Sequence, residues 1–190
     1  MKRSLNSCGI VVLSLTLLGA ACDGKKSSPE TMNRPLPSPQ RYVSVVCNAV
    51  LEWKNSIEVA ASSLVTEAPS LEGATAYLNY LLGVTDQMLA HVQAVGVPTA
   101  PNGGTLQSDV IHGLVSARSA LLRVQAQAAT LVAQGPLDMV KDVELPILLA
   151  VEAVKAELRN PTSLAIDQAT VSDTDCLRLF RRKTPLGKGA

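Results

Sequence analysis

An all-α domain is what this sequence predicts, and three observations predict it. The chain is 47% apolar but only 3% aromatic, and Ala, Leu and Val dominate its apolar set. Ala and Leu favour helices, whereas a β-sandwich draws on aromatic and alternating β-branched residues. Apolar residues also recur at steps of three and four, the spacing of one helix face. Finally, prolines and glycines fall between the stripes and not within most of them.

The stripes come in chain order. Tyr42, Val46, Ala49, Trp53, Ile57, Ala60 and Leu64 make the first. Leu71, Ala74, Leu78, Leu81, Thr85, Met88, Val92 and Val95 make the second, with Pro69-Ser70 between them and Ser70 placed to cap it. GVPTAPNGG, residues 96–104, reads as a loop. Leu106, Val110, Leu114, Ala117, Leu121, Val124, Ala128 and Leu131 form the third stripe as one helix. Gly135-Pro136 ends it and opens the fourth, with Gly after a helix and Pro at the start of the next. Val140, Val143, Ile147, Val151, Val154 and Leu158 follow, and Pro146 should kink or split that helix. Asn160-Pro161 closes it. Ser172-Asp173-Thr174-Asp175 is an acidic helix start before Cys176-Leu177-Arg178-Leu179-Phe180. A lone apolar face must find others, so the expectation is an up-down four-helix bundle with a short C-terminal helix.

The first forty residues read differently. Lys2 and Arg3 precede an uncharged stretch whose apolar centre is Ile10 to Leu18, and Gly19-Ala20-Ala21 then leads into Cys22. A basic start, a short apolar centre and small residues constitute a secretory signal. The centre is far short of the roughly 20 residues that span a bilayer. With the cysteine directly after the small residues, Leu18 to Cys22 resembles the lipobox of bacterial lipoproteins, although Leu18 stands one place earlier than the usual Leu. The resemblance implies a diacylglyceryl group on the Cys22 thiol, cleavage just before it, further acylation with palmitate-like chains, and attachment to the outer face of the plasma membrane. Asp23 to Gln40 (DGKKSSPETMNRPLPSPQ) has little to bury and four prolines, which suits an extended, disordered linker. At about 3.1 Å per residue it reaches up to roughly 55 Å. The expected organisation is therefore a signal peptide at 1–21, a lipid-anchored linker at 22–40, a helical domain at 41–183 and a basic tail at 184–190. The mature part resembles small Ala-rich helical lipoproteins of actinobacteria.

Four cysteines are present. Cys8 would leave with the signal and Cys22 would carry lipid. Cys47 and Cys176 then face an oxidising exterior, where paired thiols persist as disulfides. Their placement near the two ends of the domain favours a bond between them. Two free buried thiols, or a bond to another protein, are the alternatives.

Chemistry-bearing patterns are sparse. No Gly-rich phosphate loop, HExxH, GxSxG or CxxC is present. His91 and His112 flank one loop and suggest a metal or haem pair, but helix phase turns His112 opposite its stripe and sets His91 at the border of its own. Asp138, Asp142 and Glu144 around Lys141 suit the dipole at a helix start. Asp167, Asp173 and Asp175 lack a cation-binding loop pattern. Trp53 sits in a core stripe. No catalytic residue, metal site or cofactor is expected.

Charge is uneven although the net is +1. Residues 55–117 hold five acids and no Lys or Arg, while Arg178, Arg181, Arg182, Lys183 and Lys188 crowd the end. That basic end could meet anionic headgroups at about 1 kcal/mol per charge, or be a solvated terminus. Nucleic acid is not an expected partner of an exported protein. Taken together, the sequence predicts a membrane-tethered, non-catalytic interaction domain whose partner is a protein or small ligand at the cell envelope. A small-molecule binder and an enzyme with an unfamiliar site are the competing readings.

Overall fold

Small apolar side chains on several helix faces can be hidden only by bringing helices close together. The computed structural model describes residues 35–66, 70–159 and 163–181. The signal sequence, Cys22, most of the linker and the tail at 184–190 lie outside the described residues, as do Pro69, Asn160 and Pro161. Among the described residues the secondary structure is helical, with no strand.

Helix α1 spans Pro39–Thr66, so it begins within the stretch expected to be linker. Pro39 opens it, and the Ser38 hydroxyl accepts from the Arg41 amide at 3.3 Å. The preceding Pro37 is buried. Its carbonyl accepts from both the amide and the hydroxyl of Thr99 at 2.9 and 3.1 Å, which ties the entry of α1 to a distant loop.

Helix α2 spans Leu71–Val95. Ser70 caps it by accepting from the Gly73 amide at 3.0 Å. Leu71, expected in the core stripe, is 51% exposed, because the first residue of the helix projects past its neighbours. The following loop is tight. Asn102 is left-handed at φ 56°, and a Cβ on Gly103 would collide with the Pro98 carbonyl oxygen.

Helix α3 spans Gly103–Ala126 and α4 spans Ala128–Gln134. One continuous helix was expected here. The Gln127 amide instead bonds to the Val124 carbonyl at 3.0 Å, a tighter turn that separates the two. Ala128 and Leu131 remain buried, so the break leaves the apolar face intact.

Helix α5 spans Pro136–Leu158 without a split at Pro146. Proline removes the hydrogen bond to the Asp142 carbonyl. Asp142 and Pro146 both line an open groove, so water can serve that carbonyl and the helix continues.

Helix α6, Leu164–Ser172, carries too short a stripe to be anticipated. It is held from outside itself: the Thr170 hydroxyl lies 2.8 Å from the Ile166 carbonyl and 3.1 Å from that of Leu158, sharing its proton between them. Helix α7 spans Thr174–Phe180, with Asp173 accepting from the amides of Asp175 and Cys176 at 2.9 and 3.0 Å.

Packing follows the chain. Helix α2 lies against α1, α3 against α2, and α5 against α3 and α1, while α6 and α7 cover α1. The α2–α3 pair is antiparallel, since Asp86 pairs with Arg118, Asn79 with Gln125, and the Val92 carbonyl with Gln107. The core is filled by these faces. Trp53 is 2% exposed, and its indole N–H donates to the Thr85 hydroxyl at 2.9 Å. That hydroxyl donates in turn to the Leu81 carbonyl at 2.7 Å. A threonine in an apolar stripe thus satisfies the one polar atom of the only tryptophan.

Candidate functional site

Cys47 and Cys176 are joined by a disulfide, with Cα atoms 5.0 Å apart. The stripe of α1 buries Cys47, and the Asp173 cap turns the chain so that Cys176 points back at it. Asp173 and the two sulfurs stand within 4.8 Å of one another. They do not make a metal site, since the thiols are consumed in the bond and the carboxylate caps α7.

The histidines do not form a pair pointing into the protein. His112 is exposed, and His91, expected at a border, is exposed as well. Asp138 pairs with Lys141 at 3.2 Å and Asp175 with Arg178 at 3.3 Å, both at the surface. Asp142 and Glu144 are exposed, and Asp167 lies in the first turn of α6.

A feature that the sequence reading did not single out lies on α5. Leu145, Leu148 and Leu149 are 59%, 51% and 62% exposed. They fall off the core stripe of Val143, Ile147, Val151 and Val154 and occupy the far side of the helix. The sequence carried a partial signal, since the apolar run from 145 to 151 goes all the way round the helix and does not say which side finds a neighbour. Beside them runs a groove of about 620 Å³ between α3 and α5. Small residues line much of it, Gly113, Ala117 and Ala120 on one side and Ala150 and Ala153 on the other, and Leu145 and Leu149 of the exposed row line it too. A Cβ on Gly113 would lie 3.2 Å from that of Ala153, so glycine lets the two helices approach. Arg123 and Asp142 stand at one end.

Two buried groups titrate outside the ordinary range. Among the described residues, the hydroxyls of Tyr42 and Tyr77 find no hydrogen-bond partner. Burial, with a smaller push from Glu144, raises Tyr77 to about 12. Burial, with a smaller push from Glu157, raises Tyr42 further. Neither can serve as a base near neutral pH. Among the described residues, no helix is long and apolar enough to cross a membrane. No protein family, curated protein or solved structure matches the chain.

Two outcomes follow. Reducing the disulfide releases a loop of chain with a sequence separation of 129 and should cost about 2–5 kcal/mol, which lowers the melting midpoint by roughly 5–20 °C. An unchanged midpoint after complete reduction, checked by thiol titration, would show that the bond adds nothing. The tyrosines set an alkaline limit. Unfolded tyrosine loses its proton near pH 10, while the folded groups hold theirs to about 12 or beyond. Stability is therefore whole below pH 10 and should fall as pH rises through that window. Urea unfolding at pH 9 and pH 11 measures the drop, and Tyr42→Phe with Tyr77→Phe should flatten it.

Proposed function

We propose that this is an exported, lipid-anchored cell-envelope protein whose helical domain is a non-catalytic interaction module. The domain is best described as an up-down four-helix bundle of α1, α2, α3 and α5, with the short helices as additions. The antiparallel register of α2 on α3 and the return of α5 to α1 support that description. The order of basic residues, apolar centre, small residues and Cys22 supports the anchor.

The observation that carries the interaction reading is the exposed row Leu145, Leu148 and Leu149 on a domain whose core is otherwise filled. Exposed apolar residues grouped on one face mark a surface that another surface covers. What supports binding over catalysis is the scatter of the reactive side chains. The histidines are solvated, the buried tyrosines hold their protons, Asp173 caps a helix, Asp138 pairs with Lys141, and Asp142 and Glu144 are exposed.

The groove favours a second reading, in which a small apolar molecule sits between α3 and α5. Its volume suits a drug-sized ligand, but such sites enclose roughly 70–90% of their ligand. This groove lies open along one side, so it ranks behind the leucine row.

The anchor and the face are tested separately. Cys22→Ala should release the protein from the membrane fraction or block its processing. Normal processing with membrane retention would overturn the anchor. A photo-crosslinking side chain at position 148, in intact cells, should give a discrete adduct, whereas one at Val59, 70% exposed on α1, should not. No adduct at 148 would overturn the interaction face.

A further inference from the structure

The outer face of α5 is complementary to its own reverse, and we propose that it pairs with the same face of a second copy of this chain. The inference rests on the reading of this face as an interaction surface. Asp138, Lys141, Leu145, Leu148, Glu152 and Lys155 follow one another at alternating steps of three and four. They therefore share one stripe, with the spacing of a coiled-coil seam. The stripe's centre lies opposite the buried one, with Leu145 and Leu148 there 59% and 51% exposed, while Lys155 at its end borders the core with its side chain 18% exposed.

An ion pair flanks the leucines on each side. Lys141 meets Asp138 at 3.2 Å, and Lys155 meets Glu152 at 2.7 Å. The order along the stripe is acid, base, Leu, Leu, acid, base. Laid antiparallel about a two-fold axis between Leu145 and Leu148, each Leu145 meets Leu148 of the second copy. Each Lys141 then meets a Glu152, and each Asp138 meets a Lys155. All six positions match, and two lone ion pairs become two four-charge clusters. A parallel arrangement would set Lys141 on Lys141 and Glu152 on Glu152. The charges thus select the antiparallel two-fold pairing, in which one patch serves both subunits. Seam charges of this kind choose partner and orientation more than they add affinity.

The test is sedimentation equilibrium of the full chain in density-matched mild detergent, over a concentration series that reaches the millimolar range of tethered partners. The protein mass should rise from that of one chain towards that of two. Leu148→Asp should hold it at one chain. Lys141→Glu alone, and Glu152→Lys alone, should each do the same, because each sets like charges against each other twice in a symmetric pair. An equimolar mixture of those two variants should recover the two-chain mass, since every like contact is then replaced by an unlike one. Far-UV circular dichroism matching the parent keeps each loss assignable to the face. A one-chain mass at every concentration would overturn the proposal, as would association that survives Leu148→Asp or a mixture that fails to recover. The crosslinker at position 148 separates the two levels. An adduct with a different protein, alongside a one-chain mass, overturns the second copy and leaves the interaction face standing. No adduct and no association overturns both.

Discussion

Burial around α1 is the constraint on which the remaining structure depends. Four other helices, α2, α5, α6 and α7, pack against it. Its apolar arc is accordingly wide: Tyr42 and Val43, Val46 and Cys47, and Ala49 and Val50 are buried as adjacent pairs. A helix with one neighbour needs a single stripe, and a helix with several needs most of its circumference. The disulfide belongs to this arrangement. It fixes α7 to the most enclosed turn of α1, and α6 is held in the same corner by the Thr170 hydroxyl on the end of α5. Arg159 adds a cation over the Phe180 ring, 4.6 Å from its centre, joining the end of α5 to α7. The last third of the chain thus closes onto the first helix through several unlike interactions.

Much of this was legible in the sequence because it depends on local period. All eight residues of the third stripe are buried, and so are six of the seven in the first, Ala60 being half-covered. The Cys47–Cys176 pairing was legible by elimination, and the acidic start of α7 by its capping residues. What escaped was decided between elements. Helix α6 is short and its stabilising hydrogen bond comes from α5, so no pattern of its own announces it. The break at Gln127 keeps the face in phase and leaves periodicity unchanged. Continuity through Pro146 depends on an open groove beside it, which is a property of two helices and not of one. Trp53 was legible as core, but its partner Thr85 read as one more member of a stripe. The leucine row was missed for the opposite reason: an apolar run that encircles a helix says what is apolar but not which side finds a neighbour.

Helix α5 therefore has three working sides. One is core, where Ile147 and Val151 are buried. One faces α3 across a groove lined by glycine and alanines and edged by Leu145 and Leu149, where close approach leaves room beside the contact and not within it. The third is the outward row of leucine flanked by ion pairs. Exposed leucines on a helix cost solubility, and the charges beside them temper that cost only in part. A face that carries such a cost and a symmetric charge order has the composition of a seam more than that of ordinary solvated surface.

The size of that seam bears on where it could operate. Its leucines, Leu145 and Leu148, are 59% and 51% exposed, so about half of each side chain remains to be covered, roughly 1 kcal/mol apiece. Two from each copy give about 4 kcal/mol. Bringing two free molecules together costs an estimated 4–15 kcal/mol in lost motion. The balance lies near zero or on the wrong side, far below what a standard interface of about 1,600 Å² supplies. Free in solution, such a face pairs few molecules when dilute and more as concentration rises towards the millimolar range. A lipid on Cys22 changes the balance, because two tethered copies already share a surface and much of the entropic cost has been met before they touch. Linked partners reach effective concentrations in the millimolar range, enough for a contact of this strength to be populated. The anchor and the face are thus coupled by arithmetic: a seam that pairs free molecules only at high concentration is matched to molecules that are held side by side.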